Sequence, residues 1–104
     1  MRYPPEKSGS IESINLHEPY VDALVKDIRL SGKGVACVLD AGNGSGGPLG
    51  VQALERAGVK VDPLYCDMDG TFPNHHPDPT VPKNLAALIA RVKETGARVG
   101  LAYD

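Results

Sequence analysis

Apolar positions along the chain fall into six clusters whose spacing changes character from one to the next. Leu16, Tyr20, Val21, Leu24, Val25 and Ile28 recur three or four residues apart, which predicts a helix with one buried stripe. Pro19 suits its first turn, where a missing N–H costs nothing, and Ser31-Gly32-Lys33-Gly34 ends it. Val35 to Gly42 is a short continuous apolar run closed by Asp40 and a glycine, the pattern of a strand buried on both faces. After the glycine-rich segment Asn43–Gly47, the residues Leu49, Val51, Ala53, Leu54 and Ala57 share one face of a short helix that Gly58 stops. Val59 to Tyr65 reads as a second strand. Leu85, Leu88, Ile89 and Val92 mark a further helix that starts at Pro82 and closes at Gly96, and Arg98 to Tyr103 reads as a third strand.

The order is a helix followed by β-α-β-α-β. Crossovers of this length imply parallel neighbours and right-handed connections, hence an α/β fold with three layers and a mostly parallel sheet. Ligands of such sheets gather beyond the carboxyl ends of the strands. Three features are expected there: the loop after Leu39, the long segment from Cys66 to Pro82, and Asp104. That segment carries Pro73, Pro77, Pro79 and Pro82, which forbid a regular element, and a loop so long in a small domain is usually functional. Residues 1–9, with Pro4-Pro5 and no apolar period, are expected to be a linker or arm, and 10–104 the domain. A chain ending on a buried strand is expected to be an incomplete domain, its last strand missing.

Composition narrows the partners. A length of 104 residues suits one domain, and 41% hydrophobic with 23% charged residues describes an ordinary globular chain. A net charge of −2 without a basic stripe argues against nucleic acid or an anionic membrane surface. No apolar run reaches the ~18 residues of a membrane span, and no signal-peptide pattern opens the chain. Two cysteines, Cys37 and Cys66, form neither a CxxC pair nor a disulfide framework, which makes a reducing cytoplasm the default.

Two clusters invite chemistry. Gly42, Gly44 and Gly47 fit GxGxxG between a strand and a helix, the context of a dinucleotide fingerprint, with Asp62 or Asp67 as its partner acid. The alternative is a tight turn or a generic anion site. Asn74, His75, His76 and Asp78 lie together in the irregular segment. His76 and Asp78 could ligate a metal with a third group, or the imidazoles could bond backbone carbonyls while Asn74 and Asp78 cap their own turns. The basic residues Lys83, Arg91, Lys93 and Arg98 read as a solvated helix face. No Ser-His-Asp order, P-loop or HExxH occurs.

The runs DAGNGSGGPLGVQALERAG, LYCDMDGTFPNHHPDP and NLAALIARVKETGARVGLAYD closely resemble the second domain of the α-D-phosphohexomutases, nearest to the phosphomannomutase/phosphoglucomutase branch. The resemblance runs from about Ser10 to Asp104, and DGTFPNHHPDP is its most specific part. It implies one of four domains around a cleft, with a mixed four-stranded sheet. It also implies a parent isomerase that interconverts hexose 1-phosphates and 6-phosphates. That reaction passes through a phosphoserine on the first domain and a bisphosphorylated sugar, with Mg2+ bound. In the family the metal sits on an Asp-Gly-Asp-Gly-Asp loop after a Gly-Leu-Ala-Phe strand. Here Gly100-Leu101-Ala102-Tyr103 stands for that strand, so the resemblance makes Asp104 the first metal aspartate. With the other two aspartates, the phosphoserine loop and the remaining domains absent from these 104 residues, the chain alone is expected to bind Mg2+ weakly and to be inactive. The same resemblance turns Gly42, Gly44 and Gly47 into a tight turn. Competing expectations are a stand-alone dinucleotide- or anion-binding module, and a non-catalytic domain that self-associates through an unpaired sheet edge.

Overall fold

The computed structural model describes residues 5–28 and 33–104. The first four residues of the expected arm, and Ser31-Gly32 of the expected helix stop, lie outside the described residues. A short 3-10 turn, Pro5–Lys7, is followed by α1 (His17–Asp27), β1 (Ala36–Asp40), α2 (Gly46–Arg56) and β2 (Lys60–Leu64). A second 3-10 turn, Pro82–Leu85, leads directly into α3 (Ala86–Thr95), and β3 (Val99–Ala102) completes the order.

Among the described residues the three strands form one parallel sheet in the order β2-β1-β3. Ala36 pairs with Lys60 and Asp40 with Leu64 on one side, and Cys37 with Val99 and Asp40 with Ala102 on the other. Because β2 and β3 flank β1 on opposite sides, right-handed crossovers place α2 and α3 on opposite faces of the sheet. Alternation along β1 then divides its side chains. Val38 joins Leu64 and Leu88 in a core completed by Tyr65, Leu85, Val92 and Ala102 on the α3 side. Leu39 lies against Gly50 of α2 on the other. The expected α/β layering with a parallel sheet is therefore present.

The elements are shorter than the apolar runs suggest. β1 stops at Asp40 because Gly42 turns to a φ of +54°, and β2 stops at Leu64 because Tyr65 takes a φ of +53°. Gly96, with a φ of +72°, caps α3 in the left-handed conformation anticipated for it. α2 begins earlier than its apolar stripe, at Gly46 inside the glycine-rich segment. Two stripes are less buried than their period predicts. In α1 Val21 is buried and Leu24 and Val25 half-buried, whereas Leu16, Tyr20 and Ile28 are exposed. In α3 Ile89 is 48% exposed. α1 packs against α2, where Arg56 bonds Glu18 and Asp22, and this contact leaves part of its stripe uncovered. Residues 6–16 lie exposed ahead of it, with Ile11 fully so. No helix among the described residues is long and apolar enough to cross a membrane.

Pro63 sits inside β2, which is an outer strand. The Lys60 N–H and the Leu64 carbonyl point at β1, so the alternation turns the Pro63 nitrogen, which has no hydrogen to donate, to the outer edge. Arg91 is not on a freely solvated face: it reaches from α3 to Asp62 at 3.0 Å. Substituting Leu39, 0% exposed at the centre of the sheet, is expected to be costly. In urea unfolding, Leu39→Ala should lose about 3 kcal/mol and Ile89→Ala less than about 1 kcal/mol.

Candidate functional site: the carboxyl rim of the sheet

All three strands point their carboxyl ends at one rim, and the crossover from β2 to β3 has to pass over β1 to get there. The proline-rich segment 66–82 makes the first part of that passage and so lies across the end of β1. Asp40, the last residue of β1, is 1% exposed. A carboxylate that deeply buried needs donors on both oxygens. Its Oδ1 accepts the Gly42 N–H at 2.8 Å, and its Oδ2 accepts from His75 Nε2 at 2.7 Å. Its backbone carbonyl accepts the Tyr103 N–H at 2.9 Å. One residue thus ties together the turn into α2, the long segment and the end of β3.

His75 has a second acceptor, the His76 carbonyl, 2.8 Å from Nδ1. Its ring stands edge-on to Tyr65, with ring centres 5.5 Å apart. Partial burial works against a charge on this imidazole, but the bonds to the His76 carbonyl and to Asp40, with the carboxylate's attraction, outweigh it and raise its pKa above the ordinary value. His76 is exposed. Asn74 does not cap its own turn; its amide donates to Asn43 Oδ1 at 2.9 Å, and the Asn43 amide in turn donates to the Asp67 carbonyl at 3.0 Å. Asp78 does build a local turn, accepting both the N–H and the hydroxyl of Thr80 at 2.9 and 2.6 Å, which lowers its pKa. Asp69 does the same with Thr71. Asn84, buried under the segment, donates to the Asp78 carbonyl at 3.0 Å.

The glycine-rich turn is filled from within. The N–H groups of Gly42, Asn43, Gly44 and Gly47 donate to Asp40 Oδ1 and to the carbonyls of Tyr65, Ala41 and Gly44. A Cβ on Gly47 would stand 2.2 Å from the Cys66 carbonyl oxygen, one on Gly42 2.9 Å from Pro77, and ones on Gly46 and Gly50 each 2.8 Å from the Tyr103 ring. These glycines admit protein, and four of the N–H groups that a pyrophosphate could use, those of Gly42, Asn43, Gly44 and Gly47, are already bonded within the chain. The dinucleotide reading also lacks its acid. Asp62 lies mid-strand opposite Val38 and is held by Arg91, and Asp67 is exposed and contributes its carbonyl to Asn43. Cys66 is half-buried, its thiol pointing at the Leu39 carbonyl at 3.3 Å, and burial pushes its pKa up, as it does for Cys37. Both cysteines are free.

Asp104 follows Tyr103 at the end of β3, exposed on the same rim. Among the described residues no three His, Cys, Asp or Glu side chains converge as a metal site. His75 and the Asp78 N–H both meet the His76 carbonyl, but the side chains go separate ways, His75 to Asp40 and Asp78 to Thr80. Asp40, Asn43 and Tyr103 were not singled out by sequence reasoning. A signal existed for Asp40 alone: a charged residue closing an otherwise apolar run needs a partner if the run is buried.

A profile of the family described as phosphoglucomutase/phosphomannomutase, alpha/beta/alpha domain II, matches residues 18–104. A phosphomannomutase/phosphoglucomutase of Pseudomonas putida is 48% identical over 96 residues, covering 92% of this chain and 20% of that protein. A phosphoglucomutase of Neisseria meningitidis serogroup B is 45% identical over 98 residues, covering 94% of this chain and 21% of its own. The crystal structure of a phosphoglucomutase/phosphomannomutase family protein from Burkholderia thailandensis superposes with a TM-score of 0.86 at 44% identity, over 93% of this chain and 21% of that one. The chain spans about a fifth of the length of the relatives it matches.

Gly47→Ala should destabilise the fold by about 3 kcal/mol or more, since the clash is with backbone that cannot rotate away. Gly70→Ala, with nothing within 4 Å, should stay within about 0.5 kcal/mol. Paired thermal melts of the two variants check the contrast.

Proposed function

The chain belongs to the phosphoglucomutase/phosphomannomutase family as its alpha/beta/alpha domain II, and from that premise we propose that it serves as one domain-sized part of a phosphohexomutase. The reaction read for the whole enzyme is the interconversion of hexose 1-phosphate and hexose 6-phosphate by an intramolecular phosphotransferase. In this reading a phosphoserine on another domain gives its phosphoryl group to the hexose phosphate, and the bisphosphorylated sugar so formed returns its other phosphoryl group to the serine. The free thiols of Cys37 and Cys66 suit a reducing cytoplasm. The observation that carries the reading is the family match over residues 18–104.

Asp104 is the residue we assign to the metal of that enzyme, Mg2+ by the family resemblance. Octahedral magnesium takes six oxygens, and one carboxylate supplies at most two. With no converging set of three acidic, His or Cys side chains among the described residues, this chain's own residues do not complete the centre. Their part is to hold Asp104 at the end of β3, through the Tyr103 N–H on Asp40 and the Tyr103 ring on Gly46 and Gly50 of α2.

The test is a domain exchange. The matching segment of the Pseudomonas putida protein is replaced by this chain, and turnover of glucose 1-phosphate and mannose 1-phosphate is measured. The exchanged enzyme should turn over, and Asp104→Asn in it should lower kcat about 100-fold or more. A folded exchange enzyme with no turnover, or one indifferent to Asp104→Asn, overturns the assignment.

A further inference from the structure

His75 is the one side chain of the long segment that reaches the buried carboxylate. Both of its ring nitrogens face oxygens: Asp40 Oδ2 at 2.7 Å and the His76 carbonyl at 2.8 Å. The carbonyl only accepts, and a carboxylate accepts at both oxygens, here from Gly42 and from the ring. Satisfying both contacts therefore takes an imidazole with two N–H groups, which is the imidazolium. A neutral ring loses one of them, and either loss matters. Without the Nε2 proton Asp40 keeps a single donor for a buried charge; without the Nδ1 proton the His75–His76 turn opens.

We propose that His75 is a positioning residue whose imidazolium latches the 66–82 segment onto Asp40 and so fixes the carboxyl ends of β1 and β3, leaving the Asp104 rim looser when the proton is lost. What the latch does for turnover rests on the reading of Asp104 given above; the latch itself rests on geometry. Asp40 transmits it, because the same residue accepts Gly42 N–H with its side chain and Tyr103 N–H with its backbone, one residue before Asp104. The other titratable groups around the latch include the Tyr65 phenol at the end of β2, the Cys66 thiol with Asp67 beside it, Tyr103 at the end of β3, and His76 with Asp78 within the segment. Burial pushes the Cys66 thiol up, so it stays neutral across the neutral range. The histidine's pKa is raised in the folded chain. Its stabilisation is therefore complete below the ordinary histidine value near 6.5 and is lost as pH rises through the raised one.

Hydrogen exchange followed by NMR on the 104-residue chain tests this. Between pH 6 and 8.5, corrected for intrinsic exchange, protection of the Gly42 and Tyr103 amides should fall by up to tenfold per pH unit between the free and latched pKa values. The amide of Lys60, at the other end of the sheet, should not follow. The His75 ring should show two protonated nitrogens at pH 6. His75→Gln should make the exchange of Gly42 and Tyr103 independent of pH, and His75→Ala should leave it fast throughout. A flat wild-type profile, or a neutral His75 at pH 6, overturns the proposal without any variant having to fold. In the exchanged enzyme His75→Gln should lower kcat about tenfold, leave KM unchanged and flatten the alkaline limb of the pH profile. Failure of Asp104→Asn to affect turnover would remove the metal reading while the exchange data still decide the latch.

Discussion

A carboxylate with 1% of its surface exposed is the constraint around which the rim is built. Asp40 closes the central strand, where both neighbouring strands and both crossovers meet, so water cannot solvate it and protein has to. The Gly42 N–H answers one oxygen and His75 the other, and each answer dictates backbone elsewhere. Gly42 must turn back at positive φ, which starts α2 beside the strand end. His75 must arrive from the far crossover, which draws the proline-rich segment across the sheet. Tyr65 accommodates that route by taking a left-handed φ, a costly conformation for a bulky residue that its packing in the core and against His75 offsets.

Layering and the parallel sense of the strands were readable because burial repeats. Val35–Gly42 is apolar without alternation because its side chains face a helix on each side, and that can be read from one dimension. The end of each element was harder to read, because Gly42 and Tyr65 stop their strands by a backbone conformation that the apolar run continues past. The exposed stripe positions Leu16, Tyr20 and Ile89 show the complementary failure: periodicity reports that a face is apolar, not that anything lies on it.

The rim was the least legible part, for a physical reason that the glycines make concrete. GxGxxG signals that backbone approaches something closely, and a pyrophosphate and another stretch of protein satisfy that demand equally well. Here the approaching groups are the Cys66 carbonyl, Pro77 and the Tyr103 ring, contributed by residues 19 or more positions away in sequence, and no local pattern announces them. The pairings of Asp40 with His75 and of Asn43 with Asn74 span 35 and 31 residues. Family resemblance through DGTFPNHHPDP located the neighbourhood; the bonding had to come from the fold.

The contact between Gly47 and the Cys66 carbonyl also governs how this chain can change in length. Between Asp40 and Gly47 the N–H groups of Gly42, Asn43, Gly44 and Gly47 are bonded and the faces of Gly42, Gly46 and Gly47 are in close contact, so one added residue there would drive α2 into the second crossover. The tip around Gly70 is exposed, has open space about it, and is stitched by the local Asp69–Thr71 turn. Insertions and deletions that arise in descendants of this sequence are thus channelled to the outer bend of the long segment, and the first crossover keeps its residue count while its partner drifts.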